Sequence, residues 1–171
     1  MRIAVVSDSH DHIPHLLLAV QRANAQQAEL LLHCGDLISP FMLRYLHRFN
    51  GPVHLVYGNN AGDKHLIASR CGTTFANLHH HGSHAAMTVQ GWRIAVNHYP
   101  ELARDQAASG QYHLVCCGHD HLFHVERIGD CLLVNPGDLL GKDATPTFAL
   151  VDLPRGEVRR EEVGQQLVIP D

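Results

Sequence analysis

Five short polar segments in this chain share one position: each begins where an apolar run stops. They are Asp8-Ser9-His10, Gly35-Asp36, Gly58-Asn59-Asn60, Asn97-His98 and Gly118-His119-Asp120-His121. The runs before them, Arg2 to Val6, Glu29 to His33, Val53 to Tyr57, Arg93 to Asn97 and Leu114 to Cys117, have the length and apolarity of buried strands. A strand apolar on both faces needs a layer on each side of its sheet. Parallel strands gather polar groups outside their carboxyl ends, so sequence-distant segments of this kind can meet in one crevice.

The connections fit that arrangement. Asp11 is placed to cap a helix on which Leu16, Leu17, Val20 and Ala23 recur at helical spacing. Pro40 to Phe49 is expected to be helical, with Pro40 in its first turn. Strand, loop and helix thus alternate through the first third, which argues for parallel pairing with crossover helices. The second half is richer in strands. Thr74 to Ala76, Ala85 to Val89, Phe123 to Ile128, Cys131 to Asn135, Thr147 to Leu153 and Glu157 to Val163 are strand candidates. Gln90-Gly91 and Gly129-Asp130 have turn chemistry, as does Pro154-Arg155-Gly156; Glu101 to Ala108 is a helix candidate. The fold class expected is α/β (α+β): two packed mixed sheets flanked by helices, a four-layer αββα sandwich. No repeat or boundary divides residues 1–171, so one domain is expected, with a loosely held tail from Gln165 to Asp171.

Composition narrows the function. Net charge is −4 and no Lys/Arg cluster is present, so stable nucleic-acid binding has no electrostatic support. Met1 to Val6 is too short for a signal peptide and no apolar stretch is long enough to span a membrane. Five cysteines, an odd number without a Cys-x-x-Cys pair, suit reduced thiols. A cytoplasmic protein without membrane attachment is expected. Histidine is the unusual count: 16 residues against 13 Lys and Arg together. Neutral imidazole is the commonest protein ligand for transition metals.

Asp8-x-His10 and His119-x-His121 are expected to place residues i and i+2 on one side of an extended backbone, where a pair can chelate an ion. The donors are carboxylates, imidazoles and an amide, a set that suits Mn, Fe, Zn or Ni without thiolate. Asp8, His10, Asp36, Asn59, His98, His119 and His121 are too many for one ion with an open position. They suit two ions ~3.5–4 Å apart, the arrangement used for in-line displacement at phosphorus.

The ordered set resembles the calcineurin-like metallophosphoesterases, whose pattern is D-x-H, G-D, G-N-H-[ED], H and G-H-x-H. The likeness spans Met1 to Asp138, and Asn135-Pro136-Gly137 is similar to the small bacterial and archaeal phosphodiesterase branch. It implies a two-sheet sandwich with a di-metal site at one edge. Asp8, His10, Asp36 and His121 would hold one ion; Asp36, Asn59, His98 and His119 the other, with Asp36 bridging. The implied activity is phosphodiester hydrolysis by a hydroxide shared between two divalent ions, Mn2+ first, with Asp36, Asn59 and His98 as catalytic candidates. Two departures stand out. The family's G-N-H here ends in Asn60, which removes a proton donor used by monoesterase members, and Asp138 follows Asn-Pro-Gly where the branch usually has Ser.

Other residues carry competing readings. Asn60 and His12 are candidate substrate contacts; Asn60 is otherwise a turn residue suited to positive φ, and His12 a surface residue at a helix start. Asp120 is expected to point away from its two histidine neighbours. Cys34 is expected to pack, and Tyr99-Pro100 alters the wall beside His98. His79, His80, His81 and His84 lack regular ligand spacing and precede a strand, which favours a polar loop or strand edge over a second metal site. The partner expected is a small phosphoester, and a homodimer is the default assembly. A non-catalytic protein-interaction scaffold on the same fold, and a phosphomonoesterase, are the alternative functions.

Overall fold

The computed structural model describes residues 1–153 and 155–164. In chain order they form β1 (Arg2–Val6), α1 (Ile13–Ala25), β2 (Leu30–His33), a 3-10 turn (Pro40–Met42) leading into α2 (Leu43–Leu46), β3 (Val53–Leu55), α3 (Lys64–Arg70), β4 (Leu78–His80), β5 (Ala85–Val89), β6 (Trp92–Val96), α4 (Pro100–Ala108), β7 (Leu114–Cys116), β8 (Phe123–Ile128), β9 (Cys131–Pro136), β10 (Thr147–Asp152) and β11 (Glu157–Glu162).

Two mixed sheets result. One runs β11-β10-β1-β2-β3-β4 and the other β5-β6-β7-β9-β8. β1 through β4 pair in parallel, as do β6, β7 and β9, while the outer strands β10, β11, β5 and β8 pair antiparallel. Alternation along β1 explains its unbroken apolarity. Ile3 and Val5 join Leu30, Leu32, Ile94, Val96, Leu114, Leu132 and Val134 between the sheets. Ala4 and Val6 face the helices with Leu16, Val20, Met42, Leu46 and Ile67. Behind the second sheet, Ala103 and Ala107 of α4 pack on Ala95, Val115 and Leu133. The order is helices, sheet, sheet, helix, with three apolar seams, as the buried runs require.

Local departures from the sequence reading have identifiable causes. Asp11 does not cap α1. The cap is His12, whose Nδ1 accepts from the His15 N–H at 3.2 Å, while Asp11 accepts from the Ser39 N–H at 2.9 Å and from its hydroxyl. Pro40 to Phe49 is not one helix. The helical segment ends at Leu46, and beyond it Asn24 Nδ2 donates to the Arg48 carbonyl at 3.0 Å while its Oδ1 accepts from the Asn50 N–H at 2.9 Å, holding the turn that leads to β3. Thr74 to Ala76 is a turn with one isolated bridge, Phe75 to Cys71; the strand begins later, at Leu78. Asn77 anchors that start by donating to the Phe49 and Gly51 carbonyls at 2.9 and 3.0 Å. α3 had no periodic signal, because only Ile67 of its seven residues is buried. Gln90 (φ 47°) and Gly91 (φ 81°) make the hairpin turn expected of them. Gln165 to Asp171 and Pro154 lie outside the described residues. No helix among the described residues is long and apolar enough to cross a membrane.

Candidate metal centre

The parallel strands β1, β2, β3, β6 and β7 all end at one edge of the sandwich, and the five polar segments meet there. Backbone hydrogen bonds join them. The Asp8 N–H donates to Gly35 O at 3.0 Å, His10 N–H to Asp36 O at 3.1 Å and Gly118 N–H to His98 O at 3.0 Å. The chain leaves the strands by sharp turns rather than in extended form. Asp8 (φ 51°), His10 (38°), Asp11 (59°), Asp36 (57°), His119 (78°) and His121 (63°) are six of the eight non-glycine residues with positive φ among those described. Left-handed backbone costs an L-residue about 1–2 kcal/mol, and such strain concentrates at functional sites. The i and i+2 pairs therefore converge through turn geometry, which corrects the strand-alternation argument.

Two glycines are required by close approach. A Cβ on Gly58 would collide with Asp36 Oδ1 and lie 2.8 Å from His98 Nε2. A Cβ on Gly118 would collide with Ser7 Oγ and lie 2.5 Å from Asp8 Oδ2.

Asp8 Oδ1 is the focus. It lies 3.6 Å from His121 Nε2, 3.8 Å from His10 Nε2 and 4.0 Å from His98 Nε2. It is buried and has no hydrogen-bond partner, and the same holds for His10 Nε2. Asp36 divides its oxygens: Oδ1 stands 3.5 Å from His98 Nε2 and Oδ2 stands 3.4 Å from His10 Nε2. Tight donor groups form at Asp8, His10, His121 and at Asp8, Asp36, His98. Asn59 Oδ1 extends the second group, 2.9 Å from both His98 Nε2 and His119 Nδ1.

Tautomers reinforce the convergence. His98 Nδ1–H donates to the Cys34 carbonyl at 2.8 Å, so in the neutral ring Nε2 carries a lone pair aimed at the oxygens of Asn59 and Asp36. Lone pairs facing lone pairs, around a buried carboxylate oxygen without a donor, are what a cation resolves. The donor set and its orphaned atoms thus fit divalent metal.

Charge coupling agrees. Burial pushes the Asp8 carboxyl up, but the His10 ring, the Ser7 hydroxyl and the His119 N–H beside it hold it below the usual carboxylate value. His10 is raised above the usual imidazole value, chiefly by Asp8.

The sequence of residues 1–156 matches the calcineurin-like phosphoesterase superfamily domain. The chain belongs to that superfamily. Calcineurin-like phosphoesterases are metal-dependent, which accords with the donor set above. A phosphodiesterase of Methanocaldococcus jannaschii is 28% identical over 161 residues, covering 93% of this chain and 97% of the relative. A solved archaeal phosphodiesterase superposes with a TM-score of 0.88 at 26% identity, over 95% of this chain and 99% of that one. The fold is also that of Vps29 from Entamoeba histolytica, solved with Zn2+, at a TM-score of 0.68 and 18% identity, over 96% and 100% of the two chains.

Within this calcineurin-like site, secondary candidates find definite places. Asn60 is not at positive φ; its N–H and side-chain amide donate to Asp36 Oδ1 at 2.8 Å and Oδ2 at 2.7 Å. His12 stacks on His15 with ring centres 3.6 Å apart. Asp120 turns away as expected, accepting from the Leu122 N–H at 3.0 Å and Asn135 Nδ2 at 2.7 Å. Cys34 is buried, and it contributes its carbonyl rather than its thiol. His79 and His80 belong to the edge strand β4, and His81 and His84 lie in the turn before β5, so the histidine cluster is a strand edge and loop that precedes a strand, as expected.

Two residues escaped sequence reading. His33 is fully buried beneath the centre and burial lowers it to about 4; its Nδ1 accepts from the Gly35 N–H at 3.3 Å, so the neutral ring donates from Nε2 to Ser9 Oγ at 3.2 Å. Asp138 reaches His121 Nδ1 at 3.2 Å. The departure at 138 was the only signal for it, and His33 had none.

Proposed function

We propose that this chain is a phosphodiesterase working with two divalent ions, Mn2+ foremost, with Fe, Zn or Ni as alternatives. The observation that carries this reading is the division of Asp36, one oxygen toward His98 and the other toward His10, around the orphaned Asp8 Oδ1. Asp8, His10, Asp36 and His121 would hold one ion, and Asp36, Asn59, His98 and His119 the other. When bound, the ions supply Lewis acidity and a water of lowered pKa.

The chain's own residues do the rest. Asp36 is oriented by both amide groups of Asn60 and reaches one histidine of each donor group, His10 and His98. Cys34 O holds the proton of His98 on Nδ1 and keeps Nε2 free. The Asn59 side chain sits between His98 and His119, and in this reading its amide would also meet a phosphoryl oxygen. Asn60 is uncharged and committed to Asp36, so it supplies no proton to a leaving group. Diesters with good leaving groups need little such help, which favours them over monoesters.

The substrate is a small phosphoester, acted on by a single domain. The five cysteines are all free, which supports a reducing, cytoplasmic setting. A scaffold reading leaves the complete donor set without a task. The test is hydrolysis of bis-p-nitrophenyl phosphate with Mn2+, Ni2+ or Zn2+ and with EDTA. Metal-dependent turnover, faster than with p-nitrophenyl phosphate, is expected. Absence of turnover with every metal overturns the reading, and faster monoester hydrolysis overturns the diester preference.

A further inference from the structure

We propose that Asp138 is a positioning residue for the metal centre: it holds His121 in the tautomer that presents Nε2 to an ion. This inference rests on the two-ion reading above.

His121 Nε2 points toward Asp8 Oδ1 at 3.6 Å, while its Nδ1–H donates to Asp138 Oδ2 at 3.2 Å. An acceptor at Nδ1 shifts a neutral imidazole toward the Nδ1–H tautomer, and the lone pair then resides on Nε2. Unlike His98, which is enclosed, the His121 side chain is one-third exposed, so packing alone does not fix its ring. His98 uses a neutral acceptor, the Cys34 carbonyl, for the same purpose. A carboxylate acceptor additionally raises the basicity of the ligand.

Asp138 is itself held on every side. It is 5% exposed. Its Oδ1 accepts from the Gly141 N–H at 2.5 Å, and its backbone carbonyl accepts from Thr147 N–H at 2.9 Å. The next residue, Leu139, donates its N–H to Ser7 O at 3.1 Å and accepts from His15 Nδ1–H at 2.8 Å. The Ser7 contact links the loop to the residue before Asp8, so Asp138 and Asp8 are placed against His121 by one framework. Two donors, His121 Nδ1–H and Gly141 N–H, meet two oxygens. A carboxylate satisfies both; an amide offers one oxygen and turns an NH2 group toward a donor.

The test has two readouts. In metal-free protein with 15N-labelled histidine, the His121 signals report Nδ1–H in wild type and a shift toward Nε2–H in Asp138→Ala. In calorimetric titration with Mn2+, Asp138→Ala weakens one of two binding steps by about 10–100-fold, the range for partners of metal-bound histidine, and leaves the other near wild type. Asp138→Asn falls between, and carries the test if the alanine variant does not fold. Wild-type tautomer or wild-type affinities for both ions in these variants overturn the assignment. A wild type that takes up no ion instead fails the two-ion reading, and the tautomer shift then still decides whether Asp138 orients His121.

Discussion

Two regions of this molecule concentrate imidazoles, and only one has the makings of a metal site. At the strand ends, His10, His98, His119 and His121 surround Asp8 and Asp36, with Nε2 atoms of three of them within 4.0 Å of one orphaned carboxylate oxygen. On the edge of the first sheet, His54 of β3 lies opposite His79 of β4 and beside His81. There the rings stack at 5.0 Å centre to centre, and His54 Nδ1 and His81 Nε2 satisfy each other at 2.7 Å. Among the described residues, tight groups of three metal-type donors occur at the strand ends and not at this edge. Proton affinities move in opposite directions: Asp8 raises His10, whereas burial lowers His54 to about 4. Imidazole number does not make a ligand set; lone pairs converging on uncompensated negative charge do.

The largest expected effect tests that distinction at its centre. Asp36→Asn removes charge from the residue that reaches a histidine of each donor group, His10 and His98. Diester hydrolysis should fall by more than about 100-fold, beyond the range for residues one step removed from a metal, with an unchanged far-ultraviolet circular dichroism spectrum. Near wild-type turnover in the purified variant would show that Asp36 is not part of the machinery. Next in size is chelation. An ion present at about 100 times its Kd stabilises the fold by about 2.7 kcal/mol, so EDTA should lower Tm by several degrees. A Tm indifferent to chelator would mean that the strand-end donors hold no ion.

A comparable effect arises from His33. Its ordinary pKa is 6.5 and burial depresses it to about 4. The unfolded chain therefore takes up the proton first as pH falls. Stability from the neutral ring is present above pH 6.5 and is lost between there and pH 4, to a limit of about 3 kcal/mol. Urea midpoints of the metal-free protein should drop across that window, and less steeply in His33→Asn. Equal slopes in the two proteins would contradict the buried, neutral assignment. The smallest effect is expected at the sheet edge. His79→Gln with His81→Gln should leave ion stoichiometry unchanged and alter turnover by less than about twofold, as for surface changes away from a site. Loss of a bound ion in that double variant would erase the contrast between the two regions.

Much of this was legible from the sequence because the strands are buried on both faces. Val5 to Val6 before Asp8, and Val115 to Cys117 before Gly118, are apolar without interruption, so the strand ends and the order of polar segments follow directly. What did not follow was how the chain turns there. Positive φ at Asp8, His10, Asp36, His119 and His121 depends on hydrogen bonds between segments far apart in sequence, such as Asp8 N–H to Gly35 O. Asp11 offered a good cap, but Ser39, 28 residues away, supplied better donors. The contact of Asn60 with Asp36 had no local signal, because Asp36 lies 24 residues away in the loop after β2. α3 lacked a periodic stripe because a short surface helix buries little, and His33 lacked any signal because burial on both faces is a property of the sheet.

The account turns on two ions acting at one set of strand-end donors. The most direct measurement is to add Mn2+ stepwise to metal-free protein, following ions bound per chain by native mass spectrometry and bis-p-nitrophenyl phosphate hydrolysis together. The account predicts two ions per chain and turnover that appears with the second. Full turnover with one ion bound, or two ions bound without turnover, would contradict it.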